Sequence, residues 1–279
     1  MKKKLGIAVL VAGALLTMSG MTAMAEEKGT AVFYMNAEDN TEVYAENSFN
    51  LGEWVEEPEA PVLEDKVFSG WYTDADCSEK FNFNDRVNED VDIYASWKNS
   101  FVFEAEYVNL DGVPGQGYSG NTSGTGLIMK DKSDAGASNG YYVSCLYYDG
   151  AYLSFEITSD RDVEDVTMVL NLSAEFDDMI FTGDEYLAVV NGEEYNVEAE
   201  LTGAYAVTED GENTKRPFTQ HVVANNISLN EGVNVIELVT NNDEHMSGAT
   251  MEAKAPMVDC IYLYTSAELT WDPVLDNIK

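Results

Sequence analysis

The chain has 279 residues, of which 51 are acidic and 15 basic, for a formal charge of −36 at neutral pH. That balance repels phosphate backbones and anionic bilayers, so nucleic acid and membrane surfaces are excluded as partner classes. Hydrophobic residues make up 45% and aromatic residues 11%, which is the composition of a chain with packed cores rather than an acidic disordered tail.

The chain opens on Lys2, Lys3 and Lys4, followed by an apolar run from Leu5 to Met18 and by Ala23-Met24-Ala25. A basic start, a short apolar stretch and a small-x-small site predict a secretory signal over residues 1–25, with a mature chain from Glu26. The run is short for a bilayer span, so no membrane insertion is expected after cleavage. Loss of the three lysines leaves 12 basic against 51 acidic residues. The product is expected to be secreted and extracellular, or held at the cell surface by contacts.

Two modules are predicted beyond it, at 29–98 and 101–266, joined at Asn99-Ser100, with residues 267–279 as a C-terminal tail. In the first, the segments beginning at Thr30, Val67 and Val91 are rich in β-formers and read as strands, with a polar turn over Asn36 to Asn40. Gly70 between Phe68 and Trp71 marks a place where a large neighbour lies against backbone. Asp74-Ala-Asp76 begins like a calcium loop but lacks the glycine and closing glutamate, so it reads as a turn.

The pieces Val32-Phe33, Pro61, Phe68-Ser-Gly-Trp-Tyr-Thr-Asp, Phe81-Asn-Phe and Ile93-Tyr-Ala-Ser-Trp97 resemble the Listeria–Bacteroides B-type repeat. The usual Asn-Gly-Gly turn is replaced by Asn36-Ala-Glu-Asp, for which a longer turn is expected. The resemblance implies a small β-grasp-like fold that acts as a spacer or contacts surface proteins.

The second module is a succession of short strands from Phe101, Ala151, Val166, Tyr186, Asn234 and Cys260, punctuated by Gly, Asn and Asp. No helical apolar period persists, so the fold class is mainly β, with an antiparallel sandwich in this half. Glu104-Ala-Glu106, Gly140-Tyr-Tyr-Val, Val190-Asn-Gly192, the run from Ile227 to Ile236 and Val258-Asp259 follow in an order similar to carbohydrate-binding modules of the family 6 and 35 type. That resemblance implies a galactose-binding-like jelly-roll β-sandwich.

Glu104 and Glu106 at i, i+2 are expected on one face of a strand, where two carboxylates repel unless a cation lies between them. Calcium suits such an all-oxygen set. The resemblance adds Asp259 as the third ligand of a structural Ca2+ tying first and last strands, with backbone carbonyls from Asp134 to Asn139 expected to complete it. Solvent-facing strand glutamates are the alternative.

Sugar binding needs an aromatic face for the C–H face of a pyranose, with amides and carboxylates for its hydroxyls. The resemblance places the cleft in loops, where Tyr147, Tyr148 and Phe218 are the aromatic candidates and Asn241 or Asn242 the polar partner. Cys145 stands where the family often has its other stacking ring. Packing of Tyr147 and Tyr148 against the sandwich is the other reading.

Only His221 and His245 are available as imidazole bases, and neither lies in a nucleophile or zinc motif. The glycine-rich run from Gly117 to Gly126 lacks the lysine and helix of a phosphate loop. Cys77, Cys145 and Cys260 are too scattered for a disulfide framework or zinc site, and are expected as reduced, semi-buried residues, with one pair in an oxidising compartment as the alternative. The reading is a non-catalytic carbohydrate-binding protein with a glycan or polysaccharide partner. Its rival is a surface or matrix structural protein making protein contacts.

Overall fold

The computed structural model describes residues 27–37, 41–110, 126–131, 136–174, 177–203, 217–244 and 253–278. In the first module β1 (Lys28–Tyr34) and β2 (Val43–Asn50) form a hairpin, and β3 (Lys66–Tyr72) lies antiparallel to β4 (Val91–Glu104). The central pair, β1 and β4, is parallel, with Phe33 opposite Ile93. The mixed order β2-β1-β4-β3 is grasp-like. Strand β2 was not evident in the sequence, because its side chains are nearly all exposed or half-exposed and carry no apolar alternation.

Phe33, Ile93, Ala95 and Trp71 form the floor of the small core. Phe33 meets Trp71 edge-on at 4.9 Å, and Phe68 meets Trp71 at 5.1 Å. Fully burying each large ring contributes on the order of 2–3 kcal/mol. Gly70 sits at a bulge with φ of 134°, and a Cβ there would stand 3.0 Å from Lys80 Cε. The Asp74 carboxylate accepts hydrogen bonds from the Ser78 hydroxyl at 2.8 Å and from the Ser78 and Glu79 amides, so this segment is the expected turn. Of the Asn36–Asn40 turn, residues 38–40 lie outside the described set. Asn36 itself has φ of 48°, and its amide donates to the Ala75 and Ala95 carbonyls at 3.0 Å.

The second module contains β5 (Leu127–Lys130), β6 (Tyr141–Ser144), β7 (Tyr152–Ser159), β8 (Val163–Ser173), β9 (Met179–Phe181) and β10 (Tyr186–Val190). They are followed by β11 (Glu193–Asn196), β12 (Ala199–Leu201), β13 (Thr219–Leu229), β14 (Gly232–Thr240), β15 (Met257–Thr265) and β16 (Leu269–Trp271). One sheet runs β13-β8-β15-β4 with β6 and β5 attached, and the other runs β11-β10-β14-β7-β16. Phe103, Leu153, Phe155, Leu170, Ile236 and Ile261 fill the space between them. The architecture is the expected sandwich.

Two expectations change. The join at Asn99-Ser100 is no linker. Strand β4 runs through it, pairing with β3 up to Asn99 and with β15 from Asn99 onward. Asn99 donates to the Ala267 carbonyl at 3.0 Å and to Glu268 Oε1 at 2.9 Å, while Lys98 donates to the Asp165 carbonyl and Lys66 to Asn99 Oδ1. The tail boundary also moves, because Leu269–Trp271 adds to the sandwich against β7. None of the three cysteines forms a disulfide: Cys145 and Cys260 are buried and Cys77 is half-buried.

A strand shared in this way couples the modules. Calorimetry of the full chain is expected to give one unfolding transition, and a flexible Gly-Ser insertion between Asn99 and Ser100 is expected to split it into two. A single transition in both proteins would refute the coupling.

Candidate metal cluster and ligand clefts

Strand β4 ends at Glu104, which pairs in register with Cys260 of β15. The chain then makes a single 3₁₀ turn over Ala105–Tyr107. Glu106 therefore does not share a strand face with Glu104, as the i, i+2 spacing implied. The turn instead swings Glu106 inward, fully buried. A register shift in β15 between Val258 and Cys260, against β8, accompanies the fully buried Asp259.

The charges of Glu104 and Asp259 act on Glu106, and among the described residues no basic side chain hydrogen-bonds the three carboxylates. Asp259 accepts from the Ser138 amide at 2.9 and 3.1 Å, from the Asn171 amide at 2.7 Å and from the Cys260 thiol at 3.2 Å. The Ser138 hydroxyl donates to Glu104 at 2.6 Å. Glu104, Asp259 and Cys260 present ligand-type atoms all within 4.8 Å of one another. Neither carboxylate oxygen of Glu106 has a partner in hydrogen-bond geometry. Burial above all pushes the Glu106 carboxyl up to about 7; its own backbone N–H pulls it down, the charges of Glu104 and Asp259 add to the rise, and Asn139 offsets it slightly. Burial also raises Glu104, which Ser138 partly offsets.

Such a set fits a hard divalent cation. A buried carboxylate with no partner is costly unless neutralised, and two further acids stand beside it. Cys260 does not fit as a ligand: burial and the Asp259 charge hold its thiol far above the usual range, so it stays protonated and donates. Ser138 and Asn171 escaped notice in the sequence. Asn171 offered a signal, being an amide within the apolar run Val169-Leu-Asn-Leu172. Of the segment expected to supply carbonyls, 134–135 lie outside the described residues. Ser138 contributes a hydroxyl and an amide, and the Asn139 side chain donates to the Tyr107 hydroxyl at 3.2 Å.

The loop aromatics do not form one platform. Tyr147 is 1% exposed and belongs to the core, so its ring has no face for a sugar; the sequence could not tell it from its neighbour. Tyr148 is 43% exposed, just ahead of β7. Phe218, half-buried, precedes β13 and packs at 5.3 Å against Tyr142. Because β7 turns directly into β8, Tyr148 and Phe218 share the end of the sandwich where β8 finishes. Asn242 is a loop staple: its amide donates to the Glu185 and Lys254 carbonyls, and its Oδ1 accepts from the Glu244 and Lys254 amides. Those bonds use its polar atoms, which removes it as a ligand group. Asn241 is exposed and donates to the Asp184 carbonyl at 2.8 Å. His221 lies in β13 beside Thr219 at 2.7 Å, and burial lowers its pKa. His245 and residues 111–125 lie outside the described residues.

A cleft missed by the sequence reading, about 640 Å³, lies over the outer face of β7, β14 and β16. On β7, Tyr152, Ser154, Glu156 and Thr158 point outward while Leu153, Phe155 and Ile157 point into the core. Tyr107, Trp271 and Glu237 complete the lining together with the tail. Trp271 is held edge-on to Phe103 at 5.5 Å. The tail is fastened by Asn277, whose amide donates to the Glu106 and Val108 carbonyls at 2.9 and 2.7 Å. The 3₁₀ turn thus links cleft and carboxylate cluster: Tyr107 lines one and Glu106 belongs to the other.

Residues 31–96 match the Listeria-Bacteroides repeat domain, so the first module is similar to that repeat over its whole length. No curated protein matches the chain. Among solved structures it is similar to a CBM35 from Cellvibrio japonicus (14% identity, 62% of this chain and 97% of that chain covered, TM-score 0.41). It is also similar to a family 35 carbohydrate binding module from Clostridium thermocellum (18%, 58% and 97%, TM-score 0.37). A third is the Podospora anserina GH26-CBM35 beta-(1,4)-mannanase (18%, 59% and 27%, TM-score 0.36).

The Glu106 carboxyl ionises at an ordinary 4.5 when unfolded and at about 7 when folded without metal. Between those values the folded state holds the extra proton, so stability present below about pH 4.5 is lost as pH rises towards 7. Melting in chelator from pH 4 to 8 should show this decline, and Glu106→Gln should flatten it. Superimposable pH profiles for the two proteins would show that Glu106 is not responsible.

Proposed function

We propose that this chain is an exported, non-catalytic glycan-binding protein whose sandwich is pinned by calcium. The observation that carries the reading is the cleft over β7, β14 and β16, where Tyr107, Tyr152 and Trp271 stand among Glu156, Glu237, Ser154 and Thr158. Flat apolar rings suit the C–H faces of a pyranose, and the carboxylates and hydroxyls beside them suit its hydroxyl groups. Trp271 is fixed from behind by Phe103, so little ordering is required on binding. The exposed Tyr148, with Phe218 and Asn241 at the loop end, is a second glycan site in this reading.

Glu156 and Glu237 project from one face of adjacent strands beside the cleft rings, where their carboxylates suit the hydroxyls of a bound sugar. Export rests on the basic, apolar and small-x-small succession of residues 2–25.

Glu104, Glu106 and Asp259 would hold the calcium. Its charge would neutralise the buried carboxylates and join the end of β4 to β15, the first and last long strands of the module. Through the 3₁₀ turn it would also steady Tyr107 at the cleft wall.

Two measurements test this. Calcium should raise the melting midpoint of chelated protein, and Asp259→Ala should abolish that rise; equal midpoints with calcium and chelator would remove the site. On a glycan array followed by affinity gels, Trp271→Ala should lower retention about tenfold with the glycan recovered intact. If only Tyr148→Ala and Phe218→Ala lose binding, the loop end is the site. Retention of no glycan, or release of shorter sugars, overturns the reading.

A further inference from the structure

The face of β4 turned away from both cores is continuous across the two modules. Along its 14 residues the odd positions Ile93, Ala95 and Phe103 are buried, and the even positions from Asp92 to Glu104 are half-exposed or exposed, with no bulge. On this outer face Tyr94 pairs in register with Tyr34 of β1 and Tyr72 of β3. The rings of Tyr34 and Tyr94 are nearly parallel at 5.0 Å. Six residues further, about 20 Å at the rise of a strand, Ser100 pairs with Tyr264 and then Val102 with Tyr262. Those two tyrosine rings are also nearly parallel, at 6.5 Å. Val102 is 41% exposed; beyond Tyr262 the row passes the buried Val169 before it reaches Val222, 57% exposed. Ser96 and Lys98 lie between the tyrosine groups, and Lys98 bonds the Asp165 carbonyl and the Thr167 hydroxyl across the joint.

Charge decides what this face suits. Acids are 51 of the 279 residues, yet from Tyr94 to Val102 no carboxylate stands on the outer face of β4 or at a position register-paired with it. Asp92 and Glu104 mark the two ends: the Tyr34 hydroxyl donates to Asp92 at 3.3 Å, the charge of Glu46 on β2 also acts on Tyr34, and Asp165 of β8 stands beside Lys98. A cationic partner would be drawn to the acid-rich remainder of the surface. An anionic one, a second copy of this chain included, would be repelled by the net charge. An uncharged chain rich in hydroxyls meets neither obstacle. Its C–H faces can lie on the tyrosine faces left open by that stacking, and its hydroxyls can reach Ser100 and the Tyr94 and Tyr264 phenol groups.

We infer that a long, uncharged polysaccharide lies along the outer face of β4, spanning both modules. This rests on the glycan-binding reading and adds a requirement on polymer length. It also makes the repeat module part of the binding surface rather than a spacer.

The test compares neutral polysaccharides (xyloglucan, galactomannan and a β-glucan) with their own short oligosaccharides, using affinity gels and calorimetry on the full chain. The polymer should bind more tightly than its oligosaccharide. Tyr94→Ala and Tyr264→Ala should each weaken polymer binding about tenfold and leave oligosaccharide binding unchanged. Should Tyr94→Ala lower the melting midpoint, Tyr34→Ala on the neighbouring strand gives the same reading. Equal affinity for polymer and oligosaccharide, or unchanged polymer binding in these variants, overturns the inference while leaving the glycan reading intact. Binding confined to charged polymers overturns the assignment to neutral chains. Absence of binding to any glycan overturns both.

Discussion

One strand that alternates without a break for 14 residues sets the geometry of everything else in this molecule. Because side chains on a strand point to opposite faces in turn, β4 can serve two cores only if its register never slips. Ile93 and Ala95 are buried in the first module and Phe103 in the second, all from the same side. A bulge at Asn99 would have turned Phe101 and Phe103 out to solvent. The same regularity delivers Glu104 to the end of the strand opposite Cys260, so the carboxylate cluster is a consequence of the shared strand as much as of local sequence.

The second constraint is electrostatic. Glu106 and Asp259 are both fully buried, whereas the other acids among the described residues mostly face water. Asp259 is satisfied by Ser138, Asn171 and the Cys260 thiol, whereas Glu106 has no hydrogen-bond partner. Glu106 is thus the acid of the cluster whose charge is least offset by its surroundings. The 3₁₀ turn bearing Glu106 also bears Tyr107, and Asn277 of the tail is tied to its carbonyls. Neutralising the cluster, seating the tail and shaping the cleft are therefore one structural problem.

Much of this was legible beforehand. The strands beginning near Thr30, Val67, Val91, Ala151, Val166, Tyr186, Asn234 and Cys260 show as β-rich runs, because burial on one or both faces leaves an apolar pattern. Strands β2, β5 and β11 did not show, since their side chains are largely exposed or half-exposed and backbone pairing alone leaves little trace in composition. The three acids were named, but the strand face assigned to Glu106 was wrong: a single turn of 3₁₀ helix at Ala105–Tyr107 has no sequence signal strong enough to override the alternation before it.

By itself the amino-acid sequence determined the β class and the division into two modules. These follow from residue type and period, which are local properties. Only the tertiary structure decided that Tyr147 is core while Tyr148 is exposed, that Asn242 is a staple, and that Leu269–Trp271 closes a cleft with Tyr107 and Tyr152. It alone showed that Asn99-Ser100 lies within a strand. Each of those depends on which distant segment lies opposite, and register between residues more than a hundred positions apart is fixed by the packing of whole sheets, not by any stretch of sequence.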